Sequence, residues 1–381
     1  MKLKFEFTAS VIAGSLALAF SASLAAQTVR IGAVYPLTGG VSYDGITKLN
    51  GAKLAIDEIN ARGGVLGRQL ELLSEDGACN PAQSVASAEK LIAQSKVVAL
   101  LGAICSSATG AIGETIKKYK LPLVSGVSTA ERLTEQNNPS FFRATTTTTL
   151  NGKSMGDTLS KIARGKRIAF IVTSDDWGRS AAQSYGESLK AHGAEIVATE
   201  YFDRAETDFA ALLTKIRASK PDAIFSTGGF QNAANVTKQA RQMGLQQVVI
   251  GEGAFTSEAY NKLVEPFTDN VFGIIEWVSV IDSAQNRKFI EDYKARFKEI
   301  PTKFSVGGYQ TVYIMAQAIQ RAGSTDGDKI AAALKATNYD GLTGNYRFDD
   351  KGQGYNFNMY IVANVNKGQN QVREVVKIVK Q

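Results

Sequence analysis

From residue 29 to residue 250 the chain alternates short apolar, β-rich runs with segments of helical periodicity. That alternation limits the fold sharply. A strand followed by a helix and then another strand cannot form a hairpin; it makes a crossover, and crossovers build parallel sheets. The run 29–35 reads as a buried strand. Ile46, Leu49, Ala52, Ile56 and Ile59 then recur at helical spacing until Gly63-Gly64. Strands are expected at 70–73, 97–101 and 121–124, with helices at 82–94 and 108–119 between them. A second series follows the polar stretch 145–149. Its strands are expected at 167–172, 195–201, 223–226 and 248–250, and its helices at 181–191, around Phe209, Leu212, Leu213 and Ile216, and at 233–243. Two successive α/β blocks of about 120 residues each result, in keeping with about 150 residues per domain.

The last third is different. Phe289, Ile290, Tyr293 and Phe297 mark one helix; Val312, Met315, Ala316, Ile319 and Ala322 mark another. Strands at 346–348, 357–363 and 375–379 are separated by turns at Asp350-Lys-Gly352 and Lys367-Gly368. This part is too short and irregular for a third domain, so it is expected to return and complete both blocks.

Residues 1–26 have the pattern of a secretory signal peptide: Lys2 and Lys4, an apolar core over 11–20, then small residues up to Ala25 and Ala26. A membrane anchor needs about 20 apolar residues, and Gly14 and Ser15 interrupt this run. Cleavage is expected after Ala25 or Ala26, which takes the chain out of the cytosol. Outside the cytosol cysteines tend to pair. Cys79 and Cys105 could close a loop worth about 3.5 kcal/mol in the chain-entropy model, or stay as two buried thiols.

Scarce residues exclude several functions. One histidine and two cysteines build neither a His-rich nor a four-cysteine metal site; no metal or cofactor is expected. The 43 basic and 36 acidic residues give +7, spread without a dense basic run, so nucleic acid is a poor partner. His192, before Gly193, reads as a helix cap. No G-x-S-x-G elbow, P-loop or H-E-x-x-H occurs. Gly251-Glu-Gly253 is only half a dinucleotide fingerprint. Asp175-Asp176 follows a strand and reads as caps and solvent charges. A secreted α/β enzyme therefore lacks a nucleophile–base set.

Binding is better supported. Ligands of open parallel sheets sit beyond the carboxyl ends of the strands. Ile104-Cys-Ser-Ser107 and Val127-Ser-Thr-Ala-Glu131 follow neighbouring strands, and Ser128-x-x-Glu131 is a capping-box pattern. Hydroxyls beside helix-start N–H groups suit a carboxylate. In the second block Asp176-Trp-Gly178, Gly228-Gly-Phe230 and Gly251-Glu-Gly253 follow strands. Trp177 and Phe230 could wall an apolar side chain, and Glu252 could receive an ammonium. Together these describe a clamp for a zwitterion.

With these residues in place, the chain resembles the extracytoplasmic solute-binding proteins of the leucine/isoleucine/valine-binding type, which serve ATP-binding-cassette importers. The resemblance covers nearly all of the mature chain. It rests on IGAVYPLTG at 31–39, GAKLAIDEINARGG at 51–64, DGACNP at 76–81, Cys105-Ser-Ser107, STAERLT at 128–134, Gly228-Gly-Phe230 and QARQMGL at 239–245. It implies two Rossmann-like lobes with parallel sheets joined by a three-strand hinge. The lobes would be 27–147 plus 279–346 and 148–278 plus 347–381, after a 1–26 signal. It implies that Ser106 and Thr129 hold the ligand carboxylate with the backbone of Ile104 and Val127 nearby. It also implies that Glu252 takes the α-amino group, and that Tyr43, Trp177, Phe230 and Tyr309 line the side-chain pocket. The family disulfide falls on Cys79–Cys105. A monomer delivering a hydrophobic amino acid to a membrane permease is expected. Trp177 and Phe230 stand where branched-chain binders often have tyrosines, and residues 35–43 differ in loop detail. Relatives of this type bind aromatic acids, amides or urea, so an aromatic carboxylate or small amide is the alternative ligand.

Overall fold

A computed structural model describes residues 28–365 and 369–380. The expected signal segment and the turn at Lys367-Gly368 lie outside the described residues. The chain opens with β1 (Val29–Tyr35), α1 (Ser42–Ala61), β2 (Leu70–Asp76), α2 (Pro81–Ala93), β3 (Ala99–Leu101), α3 (Ser106–Tyr119), β4 (Leu123–Ser125), α4 (Arg132–Glu135) and β5 (Phe141–Arg143). It continues through α5 (Thr148–Ala163), β6 (Arg167–Thr173), α6 (Asp176–Ala191), β7 (Glu195–Phe202), α7 (Ala210–Ala218), β8 (Ala223–Gly228), α8 (Phe230–Gln242), β9 (Val248–Gly253), α9 (Glu258–Val264) and β10 (Val271–Ile275). Last come α10 (Ala284–Phe297), α11 (Lys303–Ala322), α12 (Gly327–Lys335), β11 (Tyr339–Gly341), β12 (Gly344–Phe348), β13 (Gly354–Val365) and β14 (Gln369–Ile378).

The first five strands form one sheet in the order β2-β1-β3-β4-β5, all parallel, as the crossover helices dictate. β1 is buried at every position but Arg30, as a central parallel strand covered on both faces must be. The second sheet runs β11-β12-β13-β10-β9-β8-β6-β7, with β14 on β13. Its part from β7 to β10 is parallel, and the tail strands add antiparallel. So the second sheet is mixed, where parallel order was expected. Tyr339–Gly341 and Gly344–Phe348 also hydrogen-bond into this second sheet, although most of 279–346 was expected with the first lobe. The long helix α11, two elements before β11, does pack on α1 of the first lobe.

The chain leaves the second sheet after β10 and rejoins it at β11; its first passage between the sheets lies between β5 and α5. Arg143, at the end of β5, is fully buried at this crossing. Its Nε donates to Gln353 at 2.7 Å, and a terminal nitrogen donates to Ala130 O at 2.6 Å. A buried guanidinium needs such partners, and here they tie the crossing to the loop carrying Thr129. Cys79 and Cys105 are joined, with Cα atoms 5.5 Å apart. His192 is the C-cap of α6. No described helix is long and apolar enough to cross a membrane.

Candidate ligand-binding cleft

In each sheet the strand order reverses at one place: between β1 and β3 in the first, between β6 and β8 in the second. Helices leaving two such neighbours diverge to opposite faces and open a crevice at the carboxyl ends. The two crevices face each other. Between them lies a cavity lined by Asp44, Ile104, Ser106, Val127, Thr129, Trp177, Arg204, Gly228, Gly229, Glu252, Gly253, Lys303 and Phe304.

The first lobe supplies hydroxyls and helix-start amides. Cys105 is the N-cap of α3 and makes no side-chain cap hydrogen bond, so the first turn keeps its N–H groups. Ser106 Oγ accepts from Ala130 N at 3.3 Å, joining the two loops. The expected capping box at Ser128 and Glu131 does not form: α4 starts at Arg132, and Glu131 makes no side-chain cap bond. Ser128 Oγ instead donates to the carbonyls of Ala103 and Ile104, at 3.1 and 3.0 Å. The backbone demand of the Ile104 loop outcompetes a one-turn helix for that hydroxyl.

The second lobe supplies the acceptor. Glu252 is the last residue but one of β9, between two glycines, and is 3% exposed. Gly253 has φ of +110°, and a Cβ there would stand 2.3 Å from Gly228 O and 2.9 Å from the Trp177 ring. Only glycine lets the strand end so close to both walls. Thr129 Oγ1 donates to Glu252 Oε1 across the cleft at 3.5 Å, while Oε2 has no hydrogen-bond partner of good geometry. Burial pushes the Glu252 carboxyl up to about 7; the charge of Lys303 opposes the rise and that of Glu276 adds to it. Lys303 is itself spoken for, donating to Glu276 at 2.7 Å.

The apolar wall joins Ile104, Ala254 and Phe304, with Val127 and Phe230 packed against them. Trp177 stands in the first turn of α6, whose N-cap Asp175 accepts from Gly178 N at 3.1 Å. Arg204 Nε donates to Asp175 at 2.6 Å, and its guanidinium lies 5.2 Å from the Trp177 ring centroid, holding the indole. Burial works against the charge on Asp175, but Arg204 and the surrounding donors hold its carboxyl below the usual range.

The lobes touch around the cavity. The Tyr43 ring packs on that of Phe230, tilted by 31° with centroids 4.5 Å apart. Asp44 accepts from Phe230 N at 3.3 Å. Arg132 Nε donates to Asp176 at 3.0 Å, and Glu131 N donates to Ser180 Oγ at 3.4 Å.

Of the residues singled out from sequence, Ile104, Ser106, Val127, Thr129, Trp177 and Glu252 line the cavity. Tyr43 and Phe230 form a tilted ring pair at its border. Tyr309 is elsewhere: its hydroxyl donates to Glu58 at 2.8 Å and its ring packs on Phe289 and Tyr313. It lies five and six residues beyond Phe304 and Lys303. At 3.6 residues per turn that distance carries it to the far side of α11. Asp44, Arg204, Lys303 and Phe304 escaped the sequence reading. Each lies just past a strand or at a helix start, so a search of every strand exit could have found Asp44 and Arg204.

Residues 28–370 match the family model described as periplasmic binding protein. The chain is 27% identical over 360 residues to the leucine-, isoleucine-, valine-, threonine- and alanine-binding protein of Pseudomonas aeruginosa, covering 94% of this chain and 95% of that one. It is 29% identical to the branched-chain amino acid transporter substrate-binding protein of Streptococcus pneumoniae, solved in complex with isoleucine. That match has a TM-score of 0.83 and covers 93% of this chain and 100% of the other. It is 26% identical to a solute-binding protein of an ABC transporter from Rhodopseudomonas palustris in complex with 3,4-dihydroxybenzoic acid, with a TM-score of 0.82 and coverage of 93% and 98%.

Proposed function

The chain belongs to the periplasmic binding protein family, and on that footing we propose that it captures an α-amino acid of branched-chain size between its lobes and delivers it to the permease of an ABC importer. The observation that carries this reading is Glu252, a buried carboxylate with no ion-pair partner among the described residues, facing the Ser106 and Thr129 loops across one cavity. The ligand carboxylate would take the α3 amides and the hydroxyls of Ser106 and Thr129, with the backbone of Ile104 and Val127 beside it. The ammonium would take Glu252. The side chain would lie against Trp177, Ile104 and Phe304. Closure then follows from the ligand's greater affinity for the closed form. Export by a cleaved signal, a periplasmic location and action as a monomer belong to the same reading. So do two lobes, the first of 27–147 plus 279–338 and the second of 148–278 plus the residues from 339 on, which complete the second sheet.

An aromatic carboxylate is the second reading. The flat face of Trp177 and the relative solved with 3,4-dihydroxybenzoic acid favour it. Acidity separates the two. Glu252 and Asp44 both sit near 7 through burial. The closed, ligand-free protein therefore binds more protons than the unfolded chain between the ordinary carboxylate range and about 7. The contribution of these two groups to stability is fully present below that window and is lost as pH rises through about 7. An ammonium ligand needs Glu252 ionised, so its affinity is expected to fall as pH drops from 8 to 5.5, approaching tenfold per unit at the acidic end. A bare carboxylate is repelled by ionised Glu252, so its affinity is expected to rise over the same drop. Calorimetric titration of L-amino acids and of benzoate across this range tests the reading. Tight benzoate binding that strengthens with acid, without amino-acid binding, would overturn it.

A further inference from the structure

Four charged side chains line the cavity: Asp44, Glu252, Arg204 and Lys303. The two cations have carboxylate partners outside the lining, Asp175 for Arg204 at 2.6 Å and Glu276 for Lys303 at 2.7 Å. The two carboxylates have no ion-pair partner among the described residues. Glu252 is assigned above to the α-ammonium, which leaves Asp44 unexplained.

Asp44 lies in the first turn of α1, just past β1, and is 2% exposed. Among the described residues its side chain receives one hydrogen bond, from Phe230 N to Oδ2 at 3.3 Å. A carboxylate offers about four acceptor positions, so most of its capacity is unused. A Cβ on Gly229 would stand 2.9 Å from Oδ2, so the carboxylate is pressed against the opposite lobe at the Gly228–Gly229 wall. Glu252, by contrast, stands at the Thr129 end. The two acceptors line one cavity but are held by different neighbours, Asp44 by Phe230 N and Glu252 by Thr129 Oγ1, and the apolar surface of Ile104, Trp177 and Phe304 belongs to the same lining.

We propose that Asp44 reads the far end of the ligand side chain, so that the protein selects α-amino acids with an apolar stem and an uncharged hydrogen-bond donor, a hydroxyl or amide, over their aliphatic isosteres. The proposal rests on the amino-acid reading above. A donor fills the vacant acceptor positions that an alkyl group would bury unpaired, and a site built to hydrogen-bond a group discriminates strongly against an analogue lacking it. The donor is uncharged because the positive charges of Lys303 and Arg204 already reach Asp44, and a further cation would meet them.

Calorimetry of the full exported chain with two near-isosteric pairs, threonine against valine and asparagine against leucine, tests this. In the pair that binds more tightly, the donor-bearing member is expected to exceed its isostere by tenfold or more. Asp44→Leu is expected to reverse that order, and Asp44→Asn to shrink it several-fold with the melting temperature of the free protein retained. Wild-type binding of valine and leucine as tight as that of their partners overturns the proposal alone. So does a preference that both variants keep. Benzoate binding with none of the four amino acids bound overturns the amino-acid reading and the proposal with it.

Discussion

Glu252→Ala is expected to weaken amino-acid binding by about 2–5 kcal/mol, a loss between roughly thirtyfold and several thousandfold. The magnitude follows from burial. Glu252 is 3% exposed and is the last residue but one of a central strand, between Gly251 and Gly253, where the walls stand too close for water to replace a carboxylate readily. Without it, the ligand's ammonium enters the closed cavity with no counter-charge. Lys303 and Arg204 offer the wrong sign, and Asp44 stands by Phe230. The free variant should be no less stable than the wild type, because the substitution removes a buried acid that lacks an ion pair among the described residues. Affinity loss at an unchanged or raised melting temperature therefore separates a binding role from misfolding. Calorimetry together with thermal melting checks both, and full retained affinity in Glu252→Ala would contradict the ammonium assignment.

The second large effect concerns stability. Cys79 lies between β2 and α2, and Cys105 is the residue from which α3 starts, 26 positions away. Replacing both with serine frees that loop in the unfolded chain and is expected to cost about 3.5 kcal/mol. The same change loosens the residue immediately before Ser106, so a weaker carboxylate site is expected alongside the lower stability. Denaturant titration of the oxidised wild type and the double variant measures the first, and calorimetry of the variant below its melting temperature measures the second. A stability loss under about 1 kcal/mol would show that the bridge merely decorates a loop the core already fixes.

The parallel core was legible because each buried strand is a short apolar run and each early helix carries a regular apolar stripe. α5 was not. Its buried face includes Thr148, Asn151, Gly152 and Gly156 beside Leu150, Met155 and Leu159. A Cβ on Gly152 would stand 2.9 Å from Ser184 O, and one on Gly156 would stand 2.1 Å from Ser188 Oγ. A helix that packs this closely on α6 buries small and polar residues, and the hydrophobic period disappears. α9 is too short for a period to show. β10, by contrast, carries the clear apolar run VFGII, which is legible as a strand.

The candidate site divides along a similar line. Residues just past strands in glycine-rich turns, such as Trp177 and Glu252, could be read from one dimension. Asp44, Arg204 and Lys303 come from three distant segments, and their meeting depends on lobe closure, which local sequence does not encode. Tyr309 shows the reverse error. Its residue type suits a pocket, but its position on α11 turns it toward Glu58.

The central claim is that one cavity holds a zwitterion, with its carboxylate on one lobe and its ammonium on the other. Titrating an L-amino acid against its des-amino counterpart, leucine against 4-methylpentanoate for example, tests it most directly. The two ligands share carboxylate and side chain and differ only at the group assigned to Glu252. The account predicts that at pH 8 the amino acid binds at least about thirtyfold more tightly. Equal affinity, or tighter binding of the des-amino acid, would contradict it.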